Sequence, residues 1–264
     1  MTYKLFFVNA IITVGICIPL SFLLRDKPPT PPSGSSEIDR EEFCSSIKNL
    51  LKNKNYIICA IAYSVILGAS DGHSSTMSMV ILPFGFNKTD TAIVLTAPAL
   101  PGIIGAALGS IYLAKTKRYK FLISVAIICS IATIFFCLPI LFLKSRTLLI
   151  INSCLEGFVG YQIYGFFLEL VCEISFPVGE GSAVGYIEAL ADFVTFIMGY
   201  LFSWIADQST QIHSLFTIVI LCGFLAIGLV IFQCTKEDLR KLKADAEGVE
   251  KPFIPLENVK AESK

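Results

Sequence analysis

Two carboxylates lie four residues apart inside an apolar run, at Glu188 and Asp192 of residues 181–206. A helix places positions i and i+4 on one face, so both side chains would point the same way. Neither this run nor residues 56–81, which carry Asp71, contains a Lys or Arg to neutralise the acids. Uncompensated charges in apolar spans usually face a cavity or a partner, which predicts a site for a cation or a proton. The alternative is that both carboxyls are protonated and hydrogen-bonded within the fold.

A second polar pattern runs along residues 56–81. Four of its residues share one helical face: Asp71, Ser74, Ser75 and Ser78. This stripe predicts the wall of a polar cavity, and the alternative is hydrogen bonding between helices by small polar residues. Gly68 and Gly72 predict a local break in the helix, with His73 beside it. The predicted substrate-binding residues are Asp71, Ser74, Ser75, Glu188 and Asp192.

A third group of acids flanks a break in the apolar sequence. Glu169 and Glu173 lie one helical turn apart just before Phe176-Pro177, and Gly179-Glu180-Gly181 makes a turn into the next run. Acids at the end of a span are either solvated or act as a gate, and the sequence leaves both interpretations open. The predicted gating residues are Glu169, Glu173, Pro177 and Glu180.

The composition excludes several other kinds of chemistry. The 264 residues are 54% hydrophobic with a mean hydropathy of +0.70, which is typical of a chain that lies mostly in lipid. The formal net charge of zero gives no basis for binding nucleic acid. The 9 Cys form no CxxC pair, and His73 and His213 have no metal-ligand spacing, so no metal or cofactor is predicted. No nucleophile elbow, phosphate-binding loop or dinucleotide fingerprint is present, which argues against an enzyme.

The elements that must carry these residues are predicted membrane helices. A span needs roughly 20 apolar residues. Seven runs qualify and predict an all-α polytopic membrane protein: 5–24, 56–81, 90–114, 120–143, 147–171, 181–206 and 213–234. In the third run, Gly102, Gly105 and Gly109 share a face and predict a close helix contact.

Basic residues predict the orientation of these spans. The loop 25–54, the loop 115–120 and the tail after 234 carry 17 Lys and Arg, whereas the opposite side carries 4. The positive-inside rule then places the N-terminus outside and the C-terminus in the cytosol. We expect a multi-pass protein of the plasma membrane. The first run could instead be a signal peptide, but it lacks a basic leader and a small-residue cleavage site.

The chain divides into four predicted parts. Residues 1–24 form a span, and residues 25–54 form a cytosolic linker that begins Pro-rich and ends in an amphipathic helix over 37–54. Residues 55–234 form six further spans, and residues 235–264 form a charged cytosolic tail. The Pro-rich stretch is interpreted as a spacer, with an SH3-type ligand as the alternative. One span, a long linker and six spans are what the second half of a twelve-span carrier would show.

The sequence also resembles a known family. The stretch 168–185, which contains Phe176-Pro-Val-Gly-Glu-Gly181, is similar to the tenth-to-eleventh-span signature of the solute carrier 49 group. These are the transporters related to the feline leukaemia virus subgroup C receptor, within the major facilitator superfamily. The likeness is strongest to the branch called major facilitator superfamily domain-containing protein 7. Arg25-Asp-Lys-Pro-Pro-Thr-Pro-Pro-Ser33 and Thr116-Lys-Arg-Tyr-Lys120 resemble the same group.

The resemblance implies a twelve-helix carrier with alternating access, for a solute such as choline, ethanolamine, haem or a vitamin-like amine. It implies that this chain matches spans six to twelve, so a missing N-terminal half, or another chain, supplies the rest of the cavity. In relatives that carry choline, an aromatic residue and a glutamine line the site where this chain has Asp71 and Asp192. Ala114 likewise replaces a usual aspartate. These departures argue against choline itself. They are compatible with another cationic solute or with proton coupling.

Two other functions remain as alternatives. A seven-span receptor fits the number of spans, but no Asp-Arg-Tyr ends the third run and no Asn-Pro-x-x-Tyr ends the seventh. A non-transporting regulatory or partner fragment of a carrier also fits a chain of this length. The expected partners of the leading hypothesis are a small-molecule substrate and the lipid bilayer.

Overall fold

The computed structural model describes residues 2–23, 43–207 and 210–242. The Pro-rich stretch, the start of the predicted amphipathic helix and the tail beyond 242 lie outside these residues. Residues 40–243 pack as one compact unit. Helix α1 (Thr2–Leu23) is not part of that unit.

The predicted all-α membrane architecture is confirmed. The compact unit contains these helices in chain order: α2 (Phe43–Lys52), α3 (Lys54–Ser75), α4 (Met77–Ile81), α5 (Lys88–Thr96), α6 (Ala99–Thr116), α7 (Tyr119–Leu143), α8 (Arg146–Ser175), α9 (Glu180–Ala206) and α10 (Gln211–Gln233). Across the described ranges, six segments are long and apolar enough to cross a membrane, with α5 and α6 counted together as Lys88–Thr116. The first predicted span corresponds to α1, whose described apolar part, Phe7–Phe22, is shorter.

Two predicted spans contain interruptions that their hydropathy does not reveal. The run 56–81 ends as α3 at Ser75 and resumes as α4 at Met77. The run 90–114 changes from α5 to α6 at Ala97-Pro98, because proline offers no N–H to the preceding turn. Polar residues cap several helix starts. For example, Asn53 Oδ1 accepts hydrogen bonds from the backbone N–H of Asn55 and Tyr56.

Most of the packing involves α3 and α8. Helix α3 packs against α9 and α10, and α8 packs against α6 and α7. Aromatic rings fill the centre, where Tyr63 meets Phe167 at 5.4 Å and Phe167 meets Phe232 at 4.9 Å between ring centroids. Large apolar side chains also cover the outside, as at Leu100, Phe196 and Tyr200. An apolar outer surface of this extent is what contact with lipid requires.

Close helix contacts at glycine hold α6 against α8. A Cβ atom at Gly105 would lie 2.2 Å from the carbonyl oxygen of Phe158, and one at Gly102 would lie 2.5 Å from the ring of Tyr161. At Gly109 it would meet the ring of Phe166 at 2.8 Å. The predicted close-packing face of the third span is therefore confirmed, and its partner is α8.

The amphipathic helix predicted at the end of the linker appears as α2, within the described part of that segment. Its Leu50 is 1% exposed and belongs to the core of the bundle, whereas Leu51 is exposed. The helix therefore docks on the bundle through Leu50. A location only on the membrane surface, as its amphipathic pattern suggested, does not account for this burial.

Candidate functional site

The contact between α3 and α9 determines where the predicted acids lie. A Cβ atom at Gly68 would lie 2.6 Å from Cγ1 of Val194, and one at Gly72 would lie 2.7 Å from Cβ of Met198. Only glycine permits this approach. The predicted break of the helix at Gly68 and Gly72 is wrong, because α3 continues through both to Ser75. The missing side chains serve interhelical packing instead of helix breaking.

Three predicted acids come together across this contact, and we call Asp71, Glu188 and Asp192 the α3–α9 acids. The carboxylates of Asp192 and Glu188 lie close enough to Asp71 to interact with it electrostatically. Asp71 and Asp192 are exposed, whereas Glu188 is half-buried. Glu188 Oε1 accepts a hydrogen bond from the Tyr63 hydroxyl at 2.5 Å. The α3–α9 acids therefore form a cluster of carboxyl groups on the face shared by α3 and α9.

The serines of the predicted stripe take different positions. Ser74 lines a cavity together with Asp71. Ser75 does not line it: its hydroxyl donates to the carbonyl oxygen of Gly72 at 2.7 Å and lies in the contact with Gly199. Ser70, which the sequence analysis did not select, also lines the cavity.

The cavity that Asp71 and Ser74 line has a volume of about 730 Å³. Residues of α3, α7, α8 and α10 form much of its wall, and α5 and α6 contribute as well. Its lining is mainly apolar, with a few polar groups, which is the usual character of a small-molecule site. Glu188 and Asp192 lie outside the wall formed by the described residues, so Asp71 is the member of the α3–α9 acids that faces this space.

A second acid in the cavity was missed by the sequence analysis. Glu156 of α8 lines the wall, and its Oε1 accepts a hydrogen bond from the Ser130 hydroxyl at 2.6 Å. The Thr133 hydroxyl donates to Oε2 of the same carboxylate. The available signal was an acidic residue near the middle of the apolar run 147–171, which contains no Lys or Arg. No i, i+4 acidic partner drew attention to it.

His73 joins three helices next to the cavity. It is 7% exposed, and its ring meets the edge of Phe202 at 5.3 Å between centroids. Its Nε2 lies 3.5 Å from the hydroxyl of Thr217 on α10. The side chain therefore links α3 to α9 and α10.

The described residues contain no group of three or more His, Cys, Asp or Glu side chains arranged to hold a metal ion. The α3–α9 acids interact through space, but they do not form a coordination shell.

The predicted gating residues lie at one end of the bundle. Helix α8 ends at Ser175 and α9 begins at Glu180, so residues 176–179 connect them and include Pro177. Glu180 and Gly181, which were predicted in the turn, already lie in the first turn of α9. Glu173 is 8% exposed, and its Oε2 accepts a hydrogen bond from the backbone N–H of Leu242 at 2.9 Å. Glu180 Oε1 lies 2.6 Å from Lys241 Nζ, and this hydrogen bond raises the pKa of Lys241. Glu169 is exposed on the same helix as Glu173.

The segment that follows α10, residues 235–242, crosses this end of the bundle, and we call it the post-α10 segment. Asn55 Nδ2 donates to the carbonyl oxygen of Lys236 at 2.7 Å, and the backbone N–H of Lys236 donates to Asn55 Oδ1 at 2.7 Å. Lys120 Nζ donates to the carbonyl oxygen of Thr235 at 3.0 Å. The post-α10 segment thus fastens α3, α7, α8 and α9 together where the gating residues lie.

The fold and the sequence comparisons assign the chain to a family. Residues 4–172 match the family described as the Major Facilitator Superfamily, which is more than half of the chain. The chain belongs to this superfamily of membrane transporters. It is therefore an integral, multi-pass membrane protein, as predicted.

Curated relatives narrow the resemblance to the predicted group. Solute carrier family 49 member A3 of Xenopus tropicalis is 31% identical over 65% of this chain and 36% of its own length. Choline/ethanolamine transporter flvcr2a of Danio rerio is 27% identical over 92% of this chain and 53% of its own length. Choline/ethanolamine transporter FLVCR2 of Rattus norvegicus is 26% identical over 93% of this chain and 46% of its own length. The chain spans between about a third and a half of these relatives.

Proposed function

We propose that the chain forms one half of a carrier that moves a small cationic amine across the membrane by alternating access. The observation that carries this proposal is the group of α3–α9 acids: α9 contains no Lys or Arg to neutralise them, and in α3 the one Lys is Lys54, at the first residue of the helix. Ionisable side chains inside membrane spans are usually retained because they bind ions or substrates. Two of the relatives reported above are named choline/ethanolamine transporters. Choline and ethanolamine are both cations at neutral pH.

In this proposal Asp71, with Ser74 beside it, attracts the cationic group of the solute from the cavity. Glu188 and Asp192 add to the negative potential, and the Tyr63 hydroxyl fixes the carboxylate of Glu188. Ser75 supports the α3–α9 contact. A missing N-terminal half, or another chain, closes the open side of the cavity, since a carrier's central site lies between its two halves.

The end of the bundle that holds Glu173, Glu180 and the post-α10 segment is proposed as the cytosolic gate. Opening it would break the contact of Glu173 with Leu242 and the pair of Glu180 with Lys241. Glu169 and Pro177 lie in the same region and would move with it. Basic residues concentrate on this side, which supports a cytosolic C-terminus and an outer N-terminus. The plasma membrane as the location is part of the same proposal.

Uptake by proteoliposomes tests the proposal, with this chain joined to the part of Danio rerio flvcr2a that it does not match, so that both halves of the carrier are present. Vesicles preloaded with unlabelled ethanolamine should accumulate labelled ethanolamine saturably, and the neutral isostere ethylene glycol should not compete. Saturable binding without accumulation would contradict the carrier and favour the alternative of a non-transporting partner fragment. Absence of both binding and accumulation, for ethanolamine and choline alike, would reject a cationic amine as the solute.

A further inference from the structure

Glu156 marks a second acidic position in the cavity, separate from the α3–α9 acids. It lies on α8, whereas Asp71 lies on α3, and both line the same 730 Å³ space. Among the described residues of the wall, these two are the carboxylates, and neither Lys nor Arg is present. A solute with a single positive charge would therefore leave one of the two carboxylates without a counter-charge.

Asn152 provides an independent sign that this position takes a ligand. It lies one helical turn before Glu156 and lines the cavity, yet it is only 7% exposed. Its Oδ1 has no hydrogen-bond partner among the described residues. An unpaired buried acceptor costs about 1–3 kcal/mol, and a donor supplied by a bound solute would remove that cost.

The hydrogen bonds around Glu156 leave it able to accept more. The Ser130 hydroxyl donates to Oε1, and the Thr133 hydroxyl, which also lies 2.9 Å from the carbonyl oxygen of Ser130, contacts Oε2. A carboxylate offers about four lone-pair sites, so further lone pairs are free to meet a donor from the cavity. Neighbouring Ser153 does not compete, because its hydroxyl donates to the carbonyl oxygen of Leu149 at 2.9 Å.

We propose that Glu156 and Asn152 form a subsite for a second, N–H-bearing ammonium group, so that the preferred solute is a small primary diamine. One ammonium lies at Asp71, and the other donates to Glu156 and to Asn152 Oδ1. The rest of the wall, with Ile66, Ile134 and Tyr164, suits the alkyl chain that joins the two groups. A quaternary ammonium carries charge but no N–H, so it satisfies neither Asn152 Oδ1 nor the free lone pairs of Glu156. This inference rests on the proposed function for the first ammonium group only.

Calorimetric titration of the purified chain in lipid nanodiscs tests the subsite with three probes. Putrescine has two primary ammonium groups, n-butylamine has one, and (4-aminobutyl)trimethylammonium keeps both charges but loses the N–H donors at one end. We expect putrescine to bind at least about tenfold more tightly than the other two probes, the increment of one good charged hydrogen-bonding interaction. Asn152→Leu should reduce the preference for putrescine over n-butylamine. Glu156→Gln should abolish this preference. The readout in each variant is the ratio of the putrescine and n-butylamine affinities, measured side by side.

Asp207→Asn is the matched control, because Asp207 is an exposed acid at the end of α9 and is not part of the cavity wall. Equal affinities for putrescine and n-butylamine, or a putrescine advantage that survives Glu156→Gln, would overturn the subsite. If n-butylamine binding then still depends on Asp71, the proposed carrier function stands without the subsite. If n-butylamine and putrescine both fail to bind, the two proposals fall together.

Discussion

The hydroxyl of Tyr63 donates a hydrogen bond to Oε1 of Glu188 at 2.5 Å and so joins α3 to α9 beside the acids of the candidate site. Tyr63 is fully buried, whereas Glu188 is half-buried, so the bond lies at the boundary between the core and the polar face. The Tyr63 ring also packs on Phe167, which fixes the direction of the hydroxyl. A core side chain therefore holds one of the α3–α9 acids in place.

A double-mutant cycle of Tyr63→Phe and Glu188→Gln measures this link. We expect a coupling free energy of about 0.5–2 kcal/mol in thermal unfolding of the purified chain, the range for hydrogen bonds between membrane helices. Tyr200→Phe is the control, because Tyr200 is exposed on α9. Additive effects of Tyr63→Phe and Glu188→Gln would mean that the two groups do not depend on each other.

The close contact between α3 and α9 at Gly68 leads to a second prediction, a loss of stability when a larger residue replaces this glycine. Gly68→Ala introduces a Cβ atom 2.6 Å from Val194 and should destabilise the chain by about 1–3 kcal/mol, as overpacking does. Val194→Ala in the same chain should recover part of the loss. Gly185→Ala is the control on α9, because its Cβ atom would meet nothing within 4 Å, and it should leave stability unchanged or raised. Equal thermal shifts for Gly68→Ala and Gly185→Ala would refute the close contact.

The spans were predictable because hydropathy and length report burial in lipid directly. The apolar runs 120–143 and 181–206 correspond closely to α7 and α9. The interruption at Thr76 was not predictable, because it depends on which helices pack there and not on composition. The docking of α2 through Leu50 was missed for the same reason: an amphipathic pattern shows that one face is buried, but it does not show whether lipid or protein covers it.

The two hydrogen bonds between Asn55 and Lys236 should hold the post-α10 segment against α3. Asn55→Ala removes both hydrogen bonds to Lys236, which are worth roughly 1–2 kcal/mol together. Amide hydrogen exchange over 235–242 should then accelerate about five- to thirtyfold, because local opening becomes easier. Lys52→Ala, an exposed change at the end of α2, is the control and should leave exchange in that segment unaltered.

Unchanged exchange at Lys236 and Leu242 in Asn55→Ala would show that other contacts hold the post-α10 segment. A second variant, Lys241→Gln, should have a much smaller effect. It removes a partly exposed ion pair with Glu180, and such pairs contribute about 0–1 kcal/mol. A larger effect from Lys241→Gln than from Asn55→Ala would reverse the proposed order of importance.

Part of the candidate site was also predictable from residue types. Spacing alone brought Glu188 and Asp192 to one face, and the structure brings Asp71 to the same region. Glu156 was missed because its hydroxyl partners, Ser130 and Thr133, are on another helix, and a single sequence does not reveal contacts between helices. The cavity that Asp71 shares with Glu156 exists only once α3 and α8 have packed.

The central claim is that the carboxylates on α3 and α9 bind a cationic amine, and equilibrium binding of labelled ethanolamine to the purified chain tests it most directly. Asp71→Asn and Asp192→Asn remove one negative charge each with little change in size. We expect Asp71→Asn to weaken binding at least about tenfold and Asp192→Asn to weaken it by a smaller factor, while Asp207→Asn leaves it unaltered. Unchanged ethanolamine affinity in both Asp71→Asn and Asp192→Asn would contradict the account.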